Sequence, residues 1–495
     1  MTKRIVDRQR LWLFVDPVVI LLSLAFFLII RPGFDLIVAL PCLIGIYGYI
    51  AYYVLSSVEV VQGIKIRLTV EFGFVAFYYI LFFLPYQQEL LGIGAHYYES
   101  ALVADGYAEG ANKAMLLALA GIAAFHLGSI LVPRSRPNTQ TIVESNSAYI
   151  PFDLVLAAVL VVSFAAFIFF GLEPDDLARY QQAVNRVTED ASPVVNGLYA
   201  LTILLCLIGV SRIIVQLYFR RRLQLRHWVI IAAVSFWMLY ILIHGDRNNF
   251  LVVALGAVGG YAAFLREVRW PILLAAVIPA LIVYNTIEIY RQASDQGWSG
   301  LEQAFTDASH RDDDESSFAL TTMTVRATFD FAPDPEPYAG GYYKLVGFGG
   351  IVPLVRGIII GKSERFTDTS QVIAYYVLGP DANWSLGSNP LSDLYLDFGP
   401  AGVAIGLALL GYVSAQTRNY IAKNGPSSPR IFLYVALLAM MSEVPRYTID
   451  FPVRIVVWGS LVYWLYGVIN PAARIATHRR RRAAVGIPAG LVSNR

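Results

Sequence analysis

Charged residues make up only 15% of this 495-residue chain, and cysteine occurs twice, at Cys42 and Cys206. The first shortage excludes a soluble multidomain protein, whose surface needs about 25% Asp, Glu, Lys and Arg. The second excludes a disulfide framework, and since both thiols fall inside apolar runs they read as packing residues. Histidine is sparse too: His96, His126, His227, His310 and His478 are scattered without ligand spacing such as H-E-x-x-H, so no metal and no cofactor is expected. No small-x-small cleavage site follows the first apolar run, so the segment behind Lys3, Arg4, Arg8 and Arg10 reads as an uncleaved anchor. Internal repeats and low-complexity tracts are lacking as well.

What fills the chain instead is apolar: 57% of it is hydrophobic and its mean hydropathy is +0.55. Runs of about 17 to 25 such residues, enough to cross hydrocarbon as helices, recur from end to end. They predict an all-α polytopic membrane protein of about twelve spans, near 13–30, 36–55, 69–85, 113–132, 152–171, 195–217, 228–243, 249–265, 270–290, 397–416, 430–444 and 453–470. The expected organisation is nine spans within 1–290, one large external loop over 291–396, three spans within 397–470 and a basic tail over 471–495. Arg67, Arg134, Arg220 to Arg222, Arg266, Arg269, Lys423 and both termini then share one side, which the positive-inside rule makes cytoplasmic. The tail would lie on anionic lipid headgroups, with no nucleic acid as partner.

Two of the outward segments carry chemistry. His244-Gly245-Asp246-Arg247-Asn248-Asn249 joins two short spans, so the turn is drawn below the surface and must face protein or a wet cavity. Asp246 can cap a helix beginning at about Asn248, whereas Arg247 sits where the macrodipole is already positive and disfavours a cation. Amide donors and a guanidinium together suit a phosphate or carboxylate; a capped turn with a snorkelling arginine is the competing reading. Gly256, Gly259 and Gly260 would let the next span pack closely. Further external arginines could join Arg247 in bidentate oxyanion recognition, among them Arg186, Arg291, Arg326, Arg446 and Arg454, alongside Arg179, Arg356 and Arg365.

The second segment runs from Gly387 to Gly402 and places Asp393 and Asp397 at i, i+4 spacing on one helix face, as bases or as first-turn capping acids. Between the two lies the long loop, too long to be structureless in a compact protein. It holds an amphipathic stretch from Ser316 to Phe331, a second apolar stretch from Leu345 to Ile360 broken by Pro353 and Arg356, and many aromatics. Asp312 to Glu315 lacks metal-loop spacing and reads as a helix cap.

Together these segments resemble the Wzy-type oligosaccharide repeat-unit polymerases. The resemblance lies in the layout, in Gly245-Asp246-Arg247 opening a middle span, and in Asp393-Leu394-Tyr395-Leu396-Asp397-Phe398-Gly399-Pro400-Ala401-Gly402 entering the next span after the large loop. Relatives often carry Glu at the place of Asp393, and an Arg-x10-Gly pattern is matched by Arg186 to Gly197 alone. The resemblance implies a GT-C-like fold in a bacterial inner membrane and metal-independent glycosyl transfer from polyprenyl-pyrophosphate-linked glycans. It also implies a chain-length regulator protein as a partner beside membrane lipids. In that reading Asp393, His244 or Asp246 is the base, the arginines hold pyrophosphate, and Tyr395, Trp384, Tyr342 and Tyr343 stack on sugars. The alternatives are an O-antigen ligase-like transferase, for which His310 would matter, and a lipid-linked oligosaccharide flippase or transporter, which should carry midplane charges and repeated halves.

Overall fold

A computed structural model describes residues 2–56, 58–61, 63–92, 107–135, 137, 147–172, 193–243, 246–269, 298–308, 317–352, 355–359, 366–380 and 386–470, with isolated positions between 271 and 290. The described chain is overwhelmingly helical. In order come α1 (Thr2–Ile29), α2 (Leu36–Leu55), α3 (Val70–Phe82), α4 (Leu84–Leu90), α5 (Ala111–Ile130), α6 (Ile150–Phe169), α7 (Pro193–Tyr218), α8 (Leu225–Ile243) and α9 (Arg247–Phe264). The region of the expected loop holds α10 (Trp298–Ala308), α11 (Ser317–Phe331), α12 (Tyr342–Gly349), α13 (Val355–Ile359) and α14 (Thr369–Leu378). The chain then runs through α15 (Pro390–Asn424), α16 (Ser428–Glu443) and α17 (Asp450–Ile469). An unexpected β hairpin pairs β1 (Val58–Val61) with β2 (Ile64–Ile66), with Val58 opposite Ile66, across a turn where Gly63 takes φ +79°.

Eight described helices are long and apolar enough to cross a membrane, and α3 with α4, bent by 42°, makes a ninth candidate. Helix α9, at 18 residues, and α16, at 16, fall short of that test. The expected span at 270–290 lies almost wholly outside the described residues. The apolar stretch from Leu345 to Ile360 forms only the short helices α12 and α13, as its proline and arginine led us to expect.

Helix α5 is the spine, buried along nearly all its length and packed by α1, α2, α3 and α15. Its contact with α15 is backbone to backbone: a Cβ on Gly128 would lie 1.9 Å from the Ala408 carbonyl oxygen, and one on Gly411 would lie 2.0 Å from that of Phe125. A second group gathers α7, α9, α3 and α17 around α16. The expected close packing of the α9 glycines is present there. A Cβ on Gly259 would strike Leu438 at 2.1 Å, and one on Gly260 would strike Ile214 at 2.3 Å.

The spans are less free of charge than hydropathy suggests, and three of the buried charges among the described residues are met by partners on a neighbouring helix, as burial in hydrocarbon favours. Asp16 of α1 accepts from His126 Nδ1 at 2.7 Å and from the Tyr49 hydroxyl at 3.1 Å. Arg212 of α7 donates to both oxygens of Asp153 on α6, at 2.7 and 3.1 Å, and also reaches Ser428. Arg418 of α15 pairs with Glu71 of α3.

One helix of the expected loop, α11, enters the bundle. In α11 all eight residues from Thr321 to Thr328 are buried, so the stretch expected to be amphipathic is enclosed on every side. Threonine makes this tolerable: Thr322 donates to the Leu81 carbonyl at 2.6 Å and Thr328 to that of Thr324 at 2.7 Å.

A glycine of the spine and one of α3 predict a contrast. Gly411→Ala overpacks a backbone contact and should cost about 1–3 kcal/mol, whereas Gly73→Ala, with nothing within 4 Å of the new Cβ, should leave stability unchanged or raise it. Thermal unfolding in detergent checks both; equal midpoints would contradict the contact.

Candidate functional site

The turn between α8 and α9 is closed by its own residues. The Asp246 amide donates to the Ile241 carbonyl at 2.9 Å, ending α8, and its side chain caps α9 one residue earlier than expected. Oδ1 accepts from the Asn249 amide at 3.1 Å, while Oδ2 accepts from Asn249 Nδ2 at 2.7 Å and from the Tyr199 hydroxyl at 2.6 Å. Asp246 is 3% exposed, so its carboxylate faces protein and not lipid. Arg247 is the first residue of α9, although its side chain, like all of His244 and Gly245, lies outside the described residues.

On the same end of the bundle, Asn389 caps α15 by accepting from the amides of Leu391 and Ser392, both at 3.0 Å. Asp393 and Asp397 share one face, as their spacing predicts, and both address Lys344 of α12. Asp393 Oδ1 takes the ammonium directly, and Asp397 Oδ2 lies 3.7 Å from it. Asp393 Oδ1 also accepts from Thr369 at 2.9 Å and Oδ2 from the Ile449 amide at 3.2 Å. Asp397 receives the amides of Tyr343 and Lys344 at 3.1 and 3.0 Å, so it caps α12. Both carboxylates are fully buried. Immediately beyond them α15 breaks: Gly399 takes φ +69° and ψ −167°, a conformation that favours glycine, and Pro400 starts the second half.

The segment from Glu443 to Asp450 ties these two places together. Arg446 Nη1 donates to Asn248 Oδ1 at 2.7 Å, and Asn248 Nδ2 donates to the Tyr447 hydroxyl at 2.9 Å, so this segment grips the first turn of α9. Three residues on, Ile449 reaches Asp393. Asp450 then lies against Gly347 of α12, where a Cβ would come within 2.7 Å of its Cγ. The two outward sequence patterns therefore meet at one site, joined by a linker that sequence reading had used only for its arginines.

Among the expected arginines, Arg446 is at this junction and half-buried. Arg454 lies 3.7 Å from Asp450 one turn back on α17. Arg326 is elsewhere. It is completely buried, over the Tyr86 ring at 4.5 Å, with Nη2 3.3 Å from Glu89, so its guanidinium staples α11 to α4. Arg186 and Arg291 lie outside the described residues, as does Trp384. Tyr395 and Tyr343, at 4% and 6% exposure, are core residues; Tyr395 packs on Phe27, Phe329 and Tyr338 and offers no face to a sugar, while Tyr342 is half-buried. A cavity of about 850 Å³ opens at the opposite end of α9, lined by Arg67, Arg266, Arg269 and Tyr261, and takes no part in this site.

Sequence reading missed two residues here. Lys344 carried no motif, and only the fold brings it to acids about fifty positions away. Glu443 ends an apolar helix; it is 3% exposed, and its Oε2 has no hydrogen-bond partner.

Removing the ammonium should expose the dependence of the acids on it. Lys344→Met leaves two buried carboxylates uncompensated and should destabilise by about 3–5 kcal/mol, with part of the loss recovered in the Lys344→Met, Asp393→Asn double variant. Unfolding of the three purified proteins checks this, and a single variant as stable as the parent would refute the pairing.

Neither the curated proteins nor the solved structures contain a match to the chain. The profile of one family, described as O-antigen polysaccharide polymerase Wzy, matches residues 17–469, which is nearly the whole length. The chain therefore belongs to the Wzy family of O-antigen polysaccharide polymerases.

Proposed function

We propose that this protein joins polyprenyl-pyrophosphate-linked oligosaccharide repeat units at the outer face of a bacterial cytoplasmic membrane, by metal-independent glycosyl transfer to a sugar hydroxyl. The single observation that supports this reading best is the junction of the two outward motifs through Arg446, Tyr447 and Ile449. It gathers the start of α9, a guanidinium and buried carboxylates at one end of the bundle.

The sidedness has its own support. Each described ion pair between helices joins ends that simple alternation puts on one side, from Arg418 and Glu71 inside to Arg326 and Glu89 outside. In this reading the expected span at 270–290, which lies mostly outside the described residues, is counted with the short helices α9 and α16 to make twelve, with both termini cytoplasmic. A GT-C-like arrangement and a chain-length regulator as partner belong to the same reading.

The chemistry follows from location. No nucleotide sugar is available outside the cytoplasm, so the donor must arrive activated, and its pyrophosphate leaves as an anion that needs charge stabilisation. Arg446 and Arg247 supply it in a site of low dielectric, with Arg186 and Arg291 as further contributors. Arg326, paired and buried, and Arg454, beside Asp450, are assigned to architecture. Asp246 and Asp393, expected as bases, have both oxygens occupied. In this reading the first holds the turn that carries Arg247, and the second anchors the linker that carries Arg446.

Purified protein given a polyprenyl-pyrophosphate-linked repeat unit should yield a ladder of products. Arg446→Ala and Arg247→Ala should each slow it by roughly 100-fold or more, the loss typical of one preorganised donor to a developing anion. Movement of the substrate across vesicles without any ladder would favour a transporter instead.

A further inference from the structure

The carboxylates around the junction differ in one respect that the mechanism leaves unused. Asp246 and Asp393 each accept from three groups, Asp397 from two amides with Lys344 alongside, and Asp450 is beside Arg454. Glu443 is different: it is 3% exposed, yet Oε2 receives no donor. Buried carboxylate oxygens are normally filled, because an unfilled one has given up water for nothing. Such an exception in a reactive site marks a valence kept for a ligand.

Its position agrees. Glu443 is the last residue of α16, which packs along α9, and its main-chain carbonyl accepts from the Tyr447 amide at 3.2 Å, closing the turn into the linker. Its side chain interacts electrostatically with Arg446, three residues on, and with Asp246, the cap of α9. Arg446 in turn holds Asn248 at 2.7 Å. A proton acceptor and an anion-binding guanidinium are thus adjacent on one short linker, which is what attack and departure at a single anomeric carbon require.

We propose that Glu443 is the general base of the transfer, with Oε2 as the atom that takes the proton. This rests on the polymerase reading above. In the step, the acceptor hydroxyl oxygen forms a bond to the anomeric carbon of the donor glycan while the bond from that carbon to the pyrophosphate oxygen breaks. The bonding pair leaves with the polyprenyl pyrophosphate, beside Arg446, and the hydroxyl proton passes to Glu443. The base is regenerated when that proton is lost to the external medium.

The test uses the full-length protein in lipid nanodiscs and, as probe, the lipid-linked glycan that accumulates in cells of the source organism lacking this chain. Glu443→Gln, nearly isosteric, should slow ladder formation by at least about 100-fold, while binding of the same glycan changes by less than about threefold. Glu443→Asp, which keeps a carboxylate on a shorter arm, should retain roughly a tenth of the rate. A Gln variant as active as the parent overturns the assignment, and so does one whose rate falls only in step with glycan binding or thermal stability. Should the Gln variant not reach the membrane, the Asp variant decides, since a folded Asp variant with no activity above that of Glu443→Ala refutes a base at this position. Absence of a ladder from the unmodified protein would instead refute the polymerase reading itself.

Discussion

Lys344 is the pivot of the end of the molecule that holds the candidate site. Its ammonium is shared by Asp393 and Asp397, two fully buried acids on one face of α15, and its own amide is capped by the second. Two carboxylates so close would repel each other in a medium of low dielectric, and a cation between them reverses the sign of that interaction. Three pieces depend on it: the outer half of α15, the short helix α12, and the linker whose Ile449 amide is bonded to Asp393. Through that linker the order extends to Arg446 and the start of α9. A buried ion pair adds little net stability, but it specifies which elements meet, and the site requires that specification.

The opposite end of the bundle is held by the same means with different partners. Asp16 with His126, Asp153 with Arg212, and Glu71 with Arg418 each join two helices there. Beside His126, α5 and α15 approach closely enough for glycine to be required at Gly128 and Gly411. Charge pairing and small-residue packing thus act together at this end of the spine.

Much of this was legible in sequence because it is local. A run of apolar residues must cross the bilayer or be enclosed, so eight of the expected spans, and a ninth where α3 bends into α4, were readable from hydropathy. The cap at Asp246 and the shared face of Asp393 and Asp397 follow from helix geometry over four residues. What sequence could not reveal depends on separation. Arg326 and Glu89 are 237 positions apart and Lys344 and Asp393 are 49 apart, so neither arginine nor lysine announces that its charge is already taken. Tyr395 belongs to the same class: an aromatic beside a motif looks like a stacking platform until Phe27, Phe329 and Tyr338 are found around it. Glu443 escaped notice for the opposite reason, since a solitary acid ending an apolar helix has no spacing to a partner.

The break at Gly399 has a consequence for how such a protein can diversify. Because the two halves of α15 are joined at one left-handed residue followed by proline, the outer piece takes its direction from Lys344 and the linker, not from the helix axis below it. Selection for a new sugar can therefore tilt or remodel the outer scaffold while the glycine seam inside the bilayer keeps its geometry. A single membrane framework is in this way compatible with many surface polymers, because the piece of α15 before Gly399 can change while the seam at Gly411 stays as it is.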